Sequence, residues 1–230
     1  MTELSPMQLP SDPLSVETDE VQARAQLVLA LRGHGIGDRA VLSAIERVPR
    51  RLFLAAVHHG LAYEDSSLPI ECGQVVLAPS FVARMAQALR LEAGHRVLEV
   101  GTGSGYQAAV LAHLAGQVDS IDRYATLASL AGQRTAALKL SNVRIHVGDG
   151  MDGLKQKAPF DRIILTGAVE EIPGALLAQL APGGILMAPV GLAGKPQIMT
   201  RITRDEGGDR SEELETVRMV SLIRGAAERL

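Results

Sequence analysis

The sequence has no tryptophan, three tyrosines, three phenylalanines and one cysteine among 230 residues. The lone thiol, Cys72, forms no internal disulfide, so a reducing cytoplasm is the expected location. So few rings argue against an aromatic platform for single-stranded nucleic acid and leave the core to Leu, Val, Ile and Ala. Blocks of like charge are also absent. With 23 Lys and Arg against 26 Asp and Glu, the net charge is −3, and neither a nucleic-acid nor a membrane partner is expected. No run approaches the ~20 apolar residues of a membrane span. The opening stretch MTELSPMQLPSDPLSVETDE has neither the basic nor the apolar region of a secretory signal. His34, His58, His59, His95, His113 and His146 lack zinc-ligand spacing, and no metal is expected.

What is present is a chain that is 47% hydrophobic, enough for one full α/β core. Residues 1–18, rich in Pro, Ser and acid, read as a mobile tail, and residues 19–230 as one domain. Within it, 19–95 form a helical layer and a loop, 96–195 a strand–helix core, and 196–230 C-terminal strands. Apolar residues at helical spacing run from Asp19 to Gly33, and a second helix spans Asp38 to Val48 with Asp38 as its cap. Strands are then predicted at 96–101, 118–122, 143–149, 161–167 and 184–190, with helices at 108–114, 125–140 and 172–180 between them. This alternation predicts a doubly wound, mostly parallel sheet. PQIMTRITR and ETVRMVSLIRG are predicted as a final strand pair across the polar loop DEGGDRSEE. Residues Val75 to Ala78 read either as a buried strand or as the rim of a site.

The sharpest chemical signal is VLEVGTGSGYQ, Val97 to Gln107. Glycines at 101, 103 and 105 let the backbone turn tightly and approach a ligand. A dinucleotide fingerprint fails because Tyr106 stands where glycine or alanine is needed, and the Lys of a Walker loop is missing. The remaining pattern, E-x-G-x-G-x-G, resembles that of class I S-adenosylmethionine methyltransferases. Asp122 ends the next strand, 21 positions after Gly101, where an acid suits ribose hydroxyls. The third strand ends in Gly148-Asp149-Gly150, where an acid can meet an adenine amino group. A glycine-rich turn, a solvated strand-end acid and a simple turn are the plainer readings of these three marks. Jointly they point to S-adenosylmethionine held by Glu99, Gly101, Thr102, Gly103, Ser104, Gly105, Asp122, Asp149 and Gly150.

The acceptor is narrowed by exclusion. The [DN]-P-P-[YF] motif of nucleic-acid amine methylation is replaced by TGAVEEIP, and Cys72 follows Glu71 rather than a proline. The motifs VPRRLF, LAYEDSSLPIECGQ, VLEVGTGSGYQAAVLAHL, GDG, APFDRIILTGAVEEIP and LAPGGILMAPVG then resemble the protein-L-isoaspartate O-methyltransferase family from about Val41 to Leu222. The resemblance implies a class I, Rossmann-like methyltransferase fold, isoaspartyl proteins or peptides as substrate, and methylation of the carboxylate that an isoaspartyl linkage exposes. It also places Val75, Val76, Leu77 and Ala78 beside the transferable methyl, with Val75 at the family's threonine and Leu77 at its active-site serine. Glu71 and Cys72 stand where the family has Gly-His, and Met219 and Ser221 depart from its C-terminal motif. No catalytic side chain is therefore assigned. Ser80, one helical turn on, is a candidate substitute or else a helix cap, and Arg218 either steers an anion or is a solvated strand residue. Ionised carboxylates need no general base, so the missing hydroxyl is expected to cost roughly 10- to 150-fold, the worth of one hydrogen bond to a charged group. A different acceptor, or cofactor binding without transfer, are the alternatives.

Overall fold

A computed structural model describes residues 13–227. Helices α1 (Pro13–Gly33) and α2 (Arg39–Arg47) lead into a small ribbon of β1 (Leu68–Pro69) paired antiparallel with β2 (Val75–Val76), followed by α3 (Pro79–Ala88). The alternating core comprises β3 (Arg96–Val100), α4 (Tyr106–Ala112), β4 (Gln117–Asp122), α5 (Ala125–Ala137), β5 (Val143–Val147), β6 (Phe160–Leu165), α6 (Gly174–Leu177) and β7 (Leu180–Val190). A hairpin of β8 (Gln197–Asp205) and β9 (Gly208–Val217) completes the sheet.

The sheet order is β5-β4-β3-β6-β7-β8-β9, parallel from β5 to β7, with β8 antiparallel to both neighbours. The chain winds outward from β3 to β5 and returns to β6 on the other side of β3. A crevice opens at such a reversal, beyond the carboxyl ends of the strands. Val97, Leu98, Ile163, Ile164 and Leu165 are wholly buried because both sheet faces are covered, which is why these strands read as unbroken apolar runs. Every residue of α4 is buried, between the sheet and the N-terminal helices. Asp38 caps α2 by accepting from the Ala40 and Val41 amides, and the Gln87 side chain accepts from Gly37 and Asp38, locking α2 to α3. Among the described residues, no helix is long and apolar enough to cross a membrane.

The observed elements differ from expectation in four places, one of them the helix expected over 172–180, which is the single turn of α6. Of the expected tail, residues 1–12 lie outside the described residues, and 13–18 are already helical in α1. Most of the polar stretch expected as a loop is strand β9, joined to β8 by only Glu206 and Gly207. Its side chains are exposed on both faces, so no apolar alternation marks it. Beyond Val217 the chain leaves the sheet rather than continuing as a strand, and residues 228–230 lie outside the described residues.

Candidate active site

After β3 the backbone turns through Gly101, Gly103 and Gly105 with φ of 96°, 53° and 87°, all in the left-handed region. A Cβ on Gly101 would lie 2.2 Å from the Thr166 hydroxyl, which donates to the Gly101 and Val100 carbonyls. A Cβ on Gly150, after β5, would lie 2.5 Å from Val100. At Gly101 and Gly150 an added Cβ would run into neighbouring protein atoms, so glycine lets these turns pack closely and form a backbone cradle.

Asp122 ends β4 inside this cradle, 6% exposed. One carboxylate oxygen accepts from Gly103 N at 2.8 Å and the other from Tyr124 N at 2.9 Å, so both are aimed by backbone and retain lone pairs. Burial pushes its pKa up, while the Tyr124, Gly103 and Thr102 amides pull the other way.

The cradle faces a cavity of about 590 Å³, within the usual size of a small-molecule site. Gly101 to Ser104, Asp122 and Gly150 line one part of it, and Val75, Val76 and Leu77 another. The four remaining expected cofactor residues do not line it. Ala78 caps α3 instead, and Gly105 packs its backbone against Ala131. Asp149 accepts from the Met151 and Gly225 amides, one on each oxygen, and is not in the cavity lining. Glu99 is fully buried beneath the turn, accepting from Ser120 Oγ at 2.6 Å, with its second oxygen unpartnered. Thr102 joins the same chain through its hydroxyl, 2.6 Å from Ser120, and so meets the cavity with backbone.

Burial pushes Glu99 from the ordinary 4.5 up to about 8. The folded state therefore holds a proton that the unfolded chain releases, and stability is expected to fall as pH rises from about 4.5 to about 8. Denaturant unfolding at several pH values checks this: Glu99→Gln, which cannot ionise, should flatten the slope relative to the parent chain.

Arg50, wholly buried, positions the acceptor-side ribbon. Its guanidinium donates to the carbonyls of Ala62, Glu64, Ser66 and Leu77 at 2.7–3.2 Å, and lies 5.7 Å from the Tyr106 ring centroid. Asp65 accepts from Ser80 N at the start of α3, and Ser67 Oγ accepts from Ala78 N. The Tyr-Glu-Asp-Ser-Ser-Leu-Pro stretch is thus a scaffold holding Val75 to Leu77 over the glycine turn. Ser80 is buried away from the cavity, and the cap residue is Ala78, so neither expected role for Ser80 is seen. Glu71 pairs with Arg134 at 3.5 Å, and Arg134 also donates to Ser104 O, tying ribbon to turn. Burial raises the Cys72 pKa, with Asp122 and Glu71 adding to the effect, which disfavours its thiolate.

The sequence offers Arg218 as a candidate for steering an anion, and the family resemblance marks Met219 and Ser221, but sequence reasoning missed the other residues that arrive from distant parts of the chain. Thr166 and Gly167 follow β6 into the cavity, a place that the strand-end rule could have indicated. Residues 218–223 cross the carboxyl end of the sheet and line the cavity. They are held by Ala168 N to Val220 O and Leu222 N to Ala168 O, each 2.8 Å, and farther on by Gly225 N to Asp149 at 2.7 Å and Ala227 N to Arg123 O at 3.0 Å.

Comparison with known proteins agrees with this geometry. Residues 22–227 match the family described as Protein-L-isoaspartate(D-aspartate) O-methyltransferase. A protein-L-isoaspartate O-methyltransferase of Azorhizobium caulinodans is 51% identical over 204 residues, covering 89% of this chain and 94% of that relative. One of Dinoroseobacter shibae is 50% identical, covering 88% and 94%. A solved protein-L-isoaspartate O-methyltransferase superposes with a TM-score of 0.80 at 26% identity, over 86% of this chain and 65% of that one. A Plasmodium falciparum structure described as a complex with S-adenosyl-L-homocysteine has a TM-score of 0.74 at 24% identity, over 86% and 97%, and supports the fold.

Proposed function

The chain belongs to the protein-L-isoaspartate O-methyltransferase family, and from that premise we infer that it methylates the carboxylate exposed by isoaspartyl linkages in damaged proteins. S-adenosylmethionine supplies the electrophilic methyl group. The observation that carries the reading is that one cavity is lined both by the glycine cradle with Asp122 and by the segment equivalent to the family's acceptor motif.

The residues present suit this cofactor. Asp122, buried and held by two amides, is set to accept from vicinal hydroxyls of a ribose. Gly101, Gly103 and Gly150 let the turns pack closely beside the cavity, and Thr102 and Ser104 add to its wall. Glu99 fixes the turn from beneath through Ser120 and Thr102, and Asp149 holds the C-terminal segment through Gly225.

On the acceptor side Val75 to Leu77 offer no hydroxyl. A carboxylate is already ionised near neutral pH, so transfer requires alignment rather than proton removal. Leu77 lines the cavity with apolar surface and makes carboxylate binding less favourable. Leu77→Ser is therefore expected to raise kcat/KM for an isoaspartyl peptide by roughly 10- to 150-fold, the worth of one hydrogen bond to a charged group. Cofactor affinity should stay unchanged. Steady-state assays on both proteins measure it, and an unchanged kcat/KM would show that the acceptor does not rest on this segment.

The direct test supplies S-adenosylmethionine with a labelled methyl group, together with matched isoaspartyl and aspartyl peptides. Base-labile label should appear on the isoaspartyl peptide alone. Cofactor binding without that label would assign the site to another acceptor.

A further inference from the structure

We propose that Lys195 and Arg218 bind the acceptor's carboxylate, supplying in this chain the recognition that hydroxyls at positions 75 and 77 would otherwise provide. The inference rests on the isoaspartyl reading and names the residues that recognise its substrate.

Both cations line the same cavity as Val75 and Leu77. Lys195 lies in the turn between β7 and β8, and Arg218 is the first residue past β9. The register pairs Gln197 with Val217, so Pro196 and Arg218 are the next facing positions and the two cations share one corner. Buried groups set that corner. Gln197, 1% exposed, accepts from Met219 N at 2.9 Å and fixes where the chain leaves the sheet. Gly191, with φ of 151°, lets the turn pass close against Gln197, to which an added Cβ would come within 3.2 Å.

The charge pattern points the same way. Arg84, Arg201, Arg204 and Arg210 of this flank are each within 4.0 Å of a carboxylate, namely Glu215, Glu212, Asp209 and Asp205. Among the described residues Lys195 and Arg218 have no such partner, although acids are abundant on β9. The other cavity-lining guanidinium, Arg123, follows Asp122 and lies 5.5 Å from the Tyr124 ring centroid, on the cofactor side. A carboxylate brought against Val75, Leu77 and Met219 loses water, and the unpaired cations at the facing corner compensate for that loss.

The sign of the kinetic effect follows from the chemistry. The carboxylate is charged when bound and becomes a neutral ester, so a cation stabilises the bound substrate more than the transition state. Its removal should raise KM without lowering kcat. The test uses an isoaspartyl peptide with blocked termini and no other acid, so that the acceptor is its only anion. Lys195→Gln and Arg218→Gln should each raise the peptide KM roughly 10-fold, and the double variant more than either alone though not by the product of the two, because they share one partner, with kcat within about 2-fold. Arg218→Lys should restore most of the affinity. The affinity for S-adenosylhomocysteine and the melting temperature should match the parent chain. An unchanged KM in the double variant, or a joint fall of kcat and melting temperature, would overturn the proposal while leaving the isoaspartyl reading intact. Failure of the unmutated protein to methylate any isoaspartyl peptide would overturn both.

Discussion

Asp122→Ala is expected to weaken S-adenosylmethionine binding by roughly 10²- to 10⁴-fold, the largest single loss at the site. Two hydrogen bonds from a ribose to a charged acceptor are worth about 1.5–3 kcal/mol each. The same carboxylate also holds Gly103 N and Tyr124 N, so its removal loosens the glycine turn as well as the ribose contact. Stability should change far less, because burial works against the charged form that the folded state must keep. Asp122→Asn, which keeps one acceptor oxygen, should fall between the two. Calorimetric titration of the three proteins with S-adenosylhomocysteine, alongside thermal unfolding, measures both quantities. Equal affinities would remove Asp122 from the site.

Arg50→Met should be the most destabilising change in the acceptor scaffold. It leaves the carbonyls of Ala62, Glu64, Ser66 and Leu77 without their donor, the first of them buried and the others partly so. A buried acceptor left without its donor costs about 1–3 kcal/mol and a lost part-buried bond less, so the four together cost about 3–5 kcal/mol. For a chain of this length that lowers the melting temperature by roughly 6–20 °C. The segment tied to Leu77 should also lose its alignment, and misplacement by about 1 Å can cost on the order of 10²-fold in rate. Arg50→Lys keeps the charge but cannot span four carbonyls, so it should recover part of the stability and less of the activity. Differential scanning calorimetry and kinetics at a temperature where each variant is folded separate the two effects. A melting temperature within a degree of the parent would contradict the scaffold role.

The legible parts of the fold were those under a single local constraint. Strands β3 and β6 are buried on both faces, and their apolar runs end at glycines or at a turn, so sequence marked them closely. The Asp38 cap was equally plain. Strand β9 was hidden because DRSEELET faces water on both sides of a sheet edge and carries no period-2 signal. Helix α6 was overestimated: Pro173 starts it late and Leu180 already belongs to β7, leaving one turn.

The site divides in the same way. Gly101, Gly103, Asp122 and Gly150 sit at strand ends, where spacing from the glycine turn is informative, and all line the cavity. Glu99 is buried below it on Ser120, and Asp149 is engaged by the Met151 and Gly225 amides, partners that spacing does not reveal. Lys195 and residues 218–223 reach the cavity because the β7–β8 turn and the chain past β9 share one sheet edge. Arg218 could be offered from sequence only as an anion-steering residue or a solvated strand residue, and nothing local distinguishes Lys195 from an ordinary surface residue.

The most direct test of the account is a crystal structure of the protein with S-adenosylhomocysteine and an isoaspartyl peptide. The account expects the ribose hydroxyls on Asp122, the sulfur facing Val75 to Leu77, and the peptide carboxylate between that segment and the Lys195–Arg218 corner. A nucleoside bound away from the glycine turn, or a peptide seated outside this cavity, would contradict it.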